Sequence, residues 1–137
     1  LVLVGLKNGQ EVLLPKTNKV IGIQRTKTPD ELVGLYSEAD VFINPTLEDN
    51  FPTTNIEALA CGTPIVTFDT GGSPEVITSE TGMSVDKGDL NALLSAIRTI
   101  LSKGKEHYTD ACRKKVERDY NKNIQYVKYI ELYKLLT

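Results

Sequence analysis

Two carboxylates and the short polar segment between them are the residues of this chain best suited to chemistry. Asp49 and Glu57 are separated by seven residues, which include Pro52, Thr53 and Thr54. We expect a helix to begin here with Thr53 or Thr54 as its cap, because a side-chain hydroxyl is favoured at that position. The first amides of such a helix lack backbone partners and lie at its positive dipole end, where phosphate binds.

Carboxylates next to a phosphate are expected to face neutral hydroxyl groups rather than the phosphate itself. Asp49 and Glu57 are therefore predicted to accept hydrogen bonds from the hydroxyls of a sugar and of a nucleotide ribose. Each has an alternative interpretation. Thr54 and Glu57 have the spacing of a capping box, in which the glutamate only stabilises the helix start. Asp49 has the type and position of an ordinary turn residue.

A glycine pair, Gly71 and Gly72, follows the apolar run Pro64–Phe68. Paired glycines permit positive φ and a close approach of the backbone to a ligand. The alternative is a plain tight turn. The pair is a second candidate site for ligand contact, after the next predicted strand.

Four short apolar runs predict strands that must position these residues. They are too short for helices and too apolar for a half-exposed sheet, so we expect parallel strands covered on both faces. Helical patterns follow them along the chain. The predicted strands are Leu1–Gly5, Val20–Ile23, Val41–Pro45 and Pro64–Phe68; the predicted helices run from Pro29 to Ala39 with Thr28 as cap, from Thr53 or Thr54 to Gly62, from Asp89 to Gly104, and from Lys105 to Leu136 with an interruption near Tyr120.

This alternation is typical of an α/β fold, a doubly wound, Rossmann-like parallel sheet flanked by helices. Ligands bind such sheets beyond the carboxyl ends of the strands, which is where Asp49 falls. With 137 residues and 40% hydrophobic content, the chain is predicted to form one soluble domain over residues 1–137.

Charge and cysteine usage exclude several functional classes. The formal net charge of −2 argues against a nucleic acid partner. Cys61 and Cys112 have no metal-binding spacing, so no metal site is predicted. No segment approaches the length of a membrane span.

The stretch from Ala39 to Ile77 resembles the donor-binding half of retaining glycosyltransferases of the two-domain GT-B type, and it is most similar to family 4, the group 1 glycosyl transferases. That family has an acidic residue, seven others and a glutamate, followed by small residues and Gly-x-Pro. Here the motif begins at Asp49 and continues as Glu57-Ala58-Leu59-Ala60-Cys61-Gly62-Thr63-Pro64. The pairs Leu35-Tyr36, Ala39-Asp40 and Gly71-Gly72 also fall where the family has them.

The resemblance implies roles for individual residues. Asp49 would contact hydroxyls of the donor sugar, and Glu57 would bind the nucleotide ribose. Aspartate replaces the family's usual glutamate at 49, so Glu48 is a rival for the first acidic role, and Pro52 replaces a frequent glycine. The other implied donor-binding residues are Asn50, Phe51, Thr53, Thr54, Asn55, Gly71 and Gly72, with Gln24 and Arg25 near the base.

The implied activity is transfer of a hexosyl group from a nucleotide diphosphate sugar to an acceptor glycan, lipid or small molecule, with retention of configuration and without cofactor or metal. The resemblance also implies that this is the C-terminal half of a cytoplasmic enzyme, with its acceptor domain and first strand absent and the isolated chain inactive. Peripheral membrane contact is left open. Two alternatives also stay open: a nucleotide- or phosphate-binding regulatory module without catalysis, and half of a sugar-nucleotide epimerase.

Overall fold

A computed structural model describes residues 1–17 and 19–136 of the chain. The chain divides into two compact units, Leu1–Leu35 and Tyr36–Thr137. The boundary falls inside one helix. Each unit is described separately, and the single domain over residues 1–137 stays a prediction.

The first unit contains a parallel pair of strands, β1 (Val2–Val4) and β2 (Ile21–Ile23). Val2 lies opposite Ile21 in the register, and a 3₁₀ turn over Gln10–Leu13 connects the strands. Val2 is 44% exposed and Ile21 55% exposed. The prediction that every strand is covered on both faces is therefore wrong for this pair, because each strand has one neighbour and little packed against it.

Helix α1 (Pro29–Glu38) begins in the first unit and crosses the boundary. Proline is favoured at this first position because its missing N–H would have no partner there. The Thr28 hydroxyl accepts from the Glu31 amide at 3.2 Å, and the Glu31 carboxylate accepts from the Lys27 amide at 2.7 Å. The predicted cap at Thr28 is confirmed, and Glu31 adds a second hydrogen bond, to the residue before the cap.

The second unit is built on three parallel strands in the order β3-β4-β5. All four residues of the central strand are buried, because it has a neighbour on each side and helices packed on it. Its elements are β3 (Phe42–Asn44), α2 (Thr53–Ala60), β4 (Ile65–Phe68), a 3₁₀ turn (Ser73–Val76), β5 (Gly82–Val85), α3 (Leu90–Lys103), α4 (Glu106–Asp119) and α5 (Lys122–Leu136).

Three helix boundaries in this unit agree with the sequence. The Asp89 carboxylate accepts from the Ala92 amide at 2.9 Å and caps α3 as predicted. Gly104 ends that helix with φ of +81°. The predicted interruption near Tyr120 separates α4 from α5. Strand β5 was not predicted, because Gly82–Val85 contains a glycine and a serine and lacks a continuous apolar run.

The core of the second unit lies around β4 and the helices packed on it. Helix α2 contributes Ala58 and Leu59, and α4 contributes Tyr108 and Cys112. Burial raises the pKa of the Cys112 thiol to about 12. Helix α5 has no buried residue. In the part of the chain that is described, no helix combines the length and apolar character needed to cross a membrane.

Candidate functional site

The carboxyl ends of β3, β4 and β5 open into a cleft of about 550 Å³ within the second unit. This edge is where an open parallel sheet binds its ligand. The cleft brings together residues from the three loops that follow the strands. Its lining consists of Leu47, Glu48, Asp49, Asn50, Asp69, Thr70, Gly71 and Lys87.

The glycine pair brings two of these loops into direct backbone contact. Gly71 has φ of +50°, and a Cβ atom there would lie 1.9 Å from the Asp49 carbonyl oxygen. The Gly72 amide donates to the Asn50 carbonyl at 2.8 Å. The close approach that the glycines permit is therefore made to the neighbouring loop, and it holds the cleft wall in place.

Asp49 and Glu48 both line the cleft but are engaged differently. The Asp49 carboxylate accepts from the Phe51 amide at 3.0 Å, so it also forms the local turn expected of an aspartate before a helix. The Phe51 amide is therefore already paired, and the Phe51 ring lies 6.2 Å from that of Tyr120. Within the described residues the Glu48 carboxylate has no hydrogen-bond partner. The choice between the two for the first acidic role stays a prediction.

The start of helix α2 has no side-chain cap. Pro52 is the N-cap residue, in an extended conformation, so the prediction of Thr53 or Thr54 as cap is wrong. Both threonines are exposed helical residues. Their amides have no hydrogen-bond partner among residues 1–17 and 19–136. Two N–H donors therefore point out of the helix at its positive end.

Asn55 differs from its neighbours and corrects one expectation. Its amide donates to the Pro52 carbonyl at 3.1 Å, so the prediction of an unpaired amide is wrong here. Its side chain is fully buried. The Asn55 side-chain oxygen accepts from Asn44 at 2.8 Å, and its nitrogen donates to the Ser73 carbonyl at 3.5 Å. Asn55 thus ties the start of α2 to the end of β3 and to the glycine loop.

Glu57 is exposed on α2, and its carboxylate accepts from the Tyr36 hydroxyl at 3.2 Å. Because Pro52 is the N-cap and no side chain caps the helix, the capping box of Thr54 and Glu57 does not form, and that alternative is wrong. Burial, together with the nearby Glu57 carboxylate, raises the pKa of Tyr36 well above its ordinary value of 10.0. The tyrosine therefore stays protonated and remains a donor to Glu57.

Gln24 and Arg25 follow β2 in the first unit. The Gln24 side chain donates to the Glu11 carboxylate, and this hydrogen bond lowers the pKa of Glu11. Arg25 is exposed. Their proximity to the base stays a prediction.

Sequence reasoning missed three residues that the fold brings to the site. Asp69 directly follows β4, and the same strand-end rule that selected Asp49 could have found it. Lys87 follows the unpredicted strand β5; it is the basic residue of the cleft lining, and it has no ion pair within the described residues. Tyr36 belongs to the Leu35-Tyr36 pair of the resemblance, but sequence reasoning gave it no role, because it precedes Glu57 by 21 residues and no local pattern links the two.

The described residues contain no group of three histidine, cysteine, aspartate or glutamate side chains arranged to hold a metal ion.

Comparison with known proteins identifies relatives of this chain. The sequence model of the family described as glycosyl transferases group 1 matches residues 1–103. The GDP-mannose-dependent alpha-(1-6)-phosphatidylinositol dimannoside mannosyltransferase of Mycobacterium tuberculosis is 35% identical over 86 residues, which cover 63% of this chain and 22% of that protein. The capsular polysaccharide biosynthesis glycosyltransferase CapM of Staphylococcus aureus is 29% identical over 116 residues, covering 82% of this chain and 30% of that protein.

Among solved structures, the sucrose-phosphate synthase of Thermosynechococcus elongatus superimposes with a TM-score of 0.83 and 29% sequence identity. The match covers 98% of this chain and 38% of that one. The predicted fold class, parallel sheets flanked by helices in a Rossmann-like arrangement, is confirmed. The chain spans less than two fifths of the length of each of these three proteins.

Proposed function

Because the chain belongs to the group 1 glycosyl transferases, we propose that it is the part of such an enzyme that binds the nucleotide diphosphate sugar donor. The observation that carries the proposal is an open helix start combined with an exposed glutamate one turn further along the same helix. The free amides of Thr53 and Thr54 are donors for the diphosphate. The Glu57 carboxylate is an acceptor for the ribose hydroxyls.

The cleft next to this helix start suits the sugar of the donor. Carboxylates accept hydrogen bonds from several hydroxyls at once, and Glu48, Asp49 and Asp69 all line the cleft. Lys87 adds a positive charge that offsets part of this negative charge and attracts the diphosphate. Asp49 is proposed as the acidic residue that contacts the hydroxyls of the donor sugar. On binding, its carboxylate would give up its present hydrogen bond with the Phe51 amide.

The proposed reaction is transfer of a hexosyl group with retention of configuration. The bond between the anomeric carbon and the diphosphate breaks, the acceptor hydroxyl oxygen bonds to that carbon on the same face, and the acceptor's proton passes to the departing diphosphate. The donor needs no metal in this proposal, because amides and Lys87 supply the positive field. A glycan or lipid acceptor would bind to another part of the enzyme, and the mannosyltransferase and CapM relatives support this class of acceptor by their names.

Under the same proposal, the full-length enzyme is cytoplasmic. The isolated chain binds the donor but does not catalyse the transfer. The family match favours this function over the regulatory module and over an epimerase half.

The test is a titration of the chain with uridine, guanosine and adenosine diphosphates, followed through its amide NMR signals. We expect shifts in residues 49–57 and 69–73 and at Lys87, all of which belong to the second unit. Glu57→Ala should weaken the best ligand by about 1–3 kcal/mol, the cost of removing a charged hydrogen-bond partner. Glu38→Ala, at the end of α1, is the matched control for an exposed helical glutamate and should bind normally.

Absence of shifts at millimolar ligand, or equal binding by the Glu57→Ala variant, would overturn the proposal. Glu48→Gln and Asp49→Asn separate the two rivals when a nucleotide sugar replaces the diphosphate. The substitution that weakens the nucleotide sugar more than the free diphosphate marks the residue that contacts the sugar.

A further inference from the structure

We propose that Tyr36 is a positioning residue for the nucleotide: its hydroxyl fixes the Glu57 carboxylate in the orientation that receives the ribose hydroxyls. The proposal rests on the proposed function, in which Glu57 binds ribose. It adds to the site a residue from a different helix, α1. In this inference, Tyr36 and Glu57 together determine how much more tightly a ribonucleotide binds than a nucleotide without ribose hydroxyls.

Tyr36 is held rigidly in the second unit. Its side chain is 8% exposed, and its ring meets the Phe42 ring edge to face, with centroids 5.3 Å apart and an interplanar angle of 81°. Its carbonyl accepts from the Thr63 hydroxyl at 2.6 Å and from the Ala39 amide at 3.2 Å. Backbone and ring are thus both fixed, so the hydroxyl stays in one place.

That hydroxyl can donate one hydrogen bond, and it donates it to Oε2 of Glu57, with 3.2 Å between the two oxygens. Tyr36 is the hydrogen-bond partner of the Glu57 carboxylate among the residues that the structure describes. A free glutamate on a helix surface samples many rotamers, and ordering them opposes binding. Because Tyr36 holds the carboxylate, the Glu57 side chain is already largely ordered before the ligand binds. This preorganisation strengthens binding.

The remaining lone pairs of the carboxylate are open to solvent, because Glu57 is exposed. An ionised carboxylate offers about four acceptor positions, and the tyrosine occupies one of them. Both neighbouring hydroxyls of a ribose can therefore bind at the same time. A nucleotide without these hydroxyls gains nothing from the orientation of Glu57, so the contribution of Tyr36 should disappear with it.

The experiment compares Tyr36→Phe with the unchanged chain by calorimetric titration of nucleoside diphosphates and of their 2′,3′-dideoxy forms. The base is the one that binds best among uracil, guanine and adenine. Phenylalanine keeps the ring contact with Phe42 and removes only the hydroxyl. We expect the ribonucleotide to bind about three- to tenfold more weakly, and the dideoxynucleotide to change by less than twofold.

Tyr108→Phe is the matched control, since Tyr108 is a buried tyrosine of α4 and should leave both affinities unchanged. A structural role for Tyr36 would weaken both nucleotides equally, and this result would overturn the inference. So would wild-type affinity of Tyr36→Phe for the ribonucleotide. If Glu57→Ala still weakens the ribonucleotide in either case, the proposed function stands without Tyr36. If Glu57→Ala has no effect, the proposed function fails and the inference fails with it.

Discussion

Helix α2 ends in a Schellman motif and begins with two amides that have no hydrogen-bond partner among the described residues. At its end the Gly62 amide donates to the Leu59 carbonyl at 2.8 Å, and the Thr63 amide donates to the Ala58 carbonyl at 3.0 Å. At its start the amides of Thr53 and Thr54 remain open. The backbone groups at the end of α2 thus have hydrogen-bond partners within the protein, whereas the first two amides at its start do not.

The difference follows from what surrounds each end. The C-terminal end is packed against α4, where the Thr109 hydroxyl donates to the Gly62 carbonyl at 3.1 Å, and unpaired carbonyls there would be costly. The N-terminal end is exposed next to the strand-end cleft. Helices α1 and α3, by contrast, have side-chain caps at their starts. Helix α4 also begins without a side-chain cap. What distinguishes the start of α2 is its position beside the strand-end cleft, and this is where the proposed diphosphate binds.

At a fixed pH near neutrality, the largest effect is expected at the packed end. Gly62 has φ of +77°, and a Cβ atom there would lie 2.8 Å from the Thr109 methyl carbon. Gly62→Ala should therefore lower the free energy of unfolding by roughly 2–3 kcal/mol, as measured by chemical denaturation. Nucleotide affinity of the folded fraction should stay within about twofold, because the start of the helix is untouched.

Gly34→Ala is the control for that substitution, since Gly34 lies within α1 and has open space around its Cα. It should stabilise the chain by about 0.5–1 kcal/mol through helix propensity. Equal effects of the two substitutions would mean that the packed end of α2 does not depend on its glycine.

A second effect concerns the stability of the packed region at high pH. The Cys112 thiol has a pKa of about 12 in the folded chain, against an ordinary value of 9.0. Below pH 9 it is protonated in both states and adds no pH dependence. Above that pH the unfolded chain releases the proton while the folded chain keeps it, so stability falls as pH rises.

The expected loss from Cys112 is roughly 1 kcal/mol per pH unit between about pH 9 and 12. Unfolding of Cys112→Ala, followed by circular dichroism, should show a correspondingly flatter decline. The same slope in both proteins would show that the thiol is not protected at high pH. Added nucleotide should leave the difference between the two slopes unchanged, since the open end of α2 is separate from it.

The smallest effect tests the open end directly. Pro52→Asp places a carboxylate at the N-cap, where it accepts from the free amides and repels phosphate. We expect the nucleoside diphosphate to bind about five- to tenfold more weakly, or ~1 kcal/mol, in a calorimetric titration. Pro52→Asn occupies the same amides without charge and should have a smaller effect.

Asp89→Ala provides the opposite control, because it removes a cap from α3. It should lower the free energy of unfolding by about 1 kcal/mol and leave nucleotide affinity unchanged. Unchanged nucleotide affinity in Pro52→Asp would contradict a diphosphate at the start of α2, and the contrast between the two ends of the helix would then have no functional meaning.

Much of the element order was predictable because its signals are local. Thr28 and Pro29 mark a helix start, Gly104 marks a stop, and the apolar run at β4 has only the length of a strand. Strand β5 could not be found this way. Its Gly82–Val85 segment becomes a strand by pairing with β4, for example Gly82 with Ile65 and Met83 with Val66.

The candidate site shows the same division. Asp49, Asn50 and Gly71 follow predicted strands, so the rule that strand ends share one edge was enough to group them. Which side chains and amides are buried or hydrogen-bonded was not predictable, because that depends on residues distant in the sequence. The Asn55 side chain is enclosed by β3 and the glycine loop, whereas the amide of its neighbour Thr54 is left without a partner.

The sequence by itself determined the strand and helix alternation, the acidic residues seven positions apart and the glycine pair, since each depends on residues close together in the chain. Tertiary structure alone decided that Lys87 enters the cleft, that Gly71 contacts the Asp49 turn and that Tyr36 donates to Glu57. These contacts join residues that are distant in sequence, and their distances are set by how the strands pair and the helices pack. No local pattern of residue types contains that information.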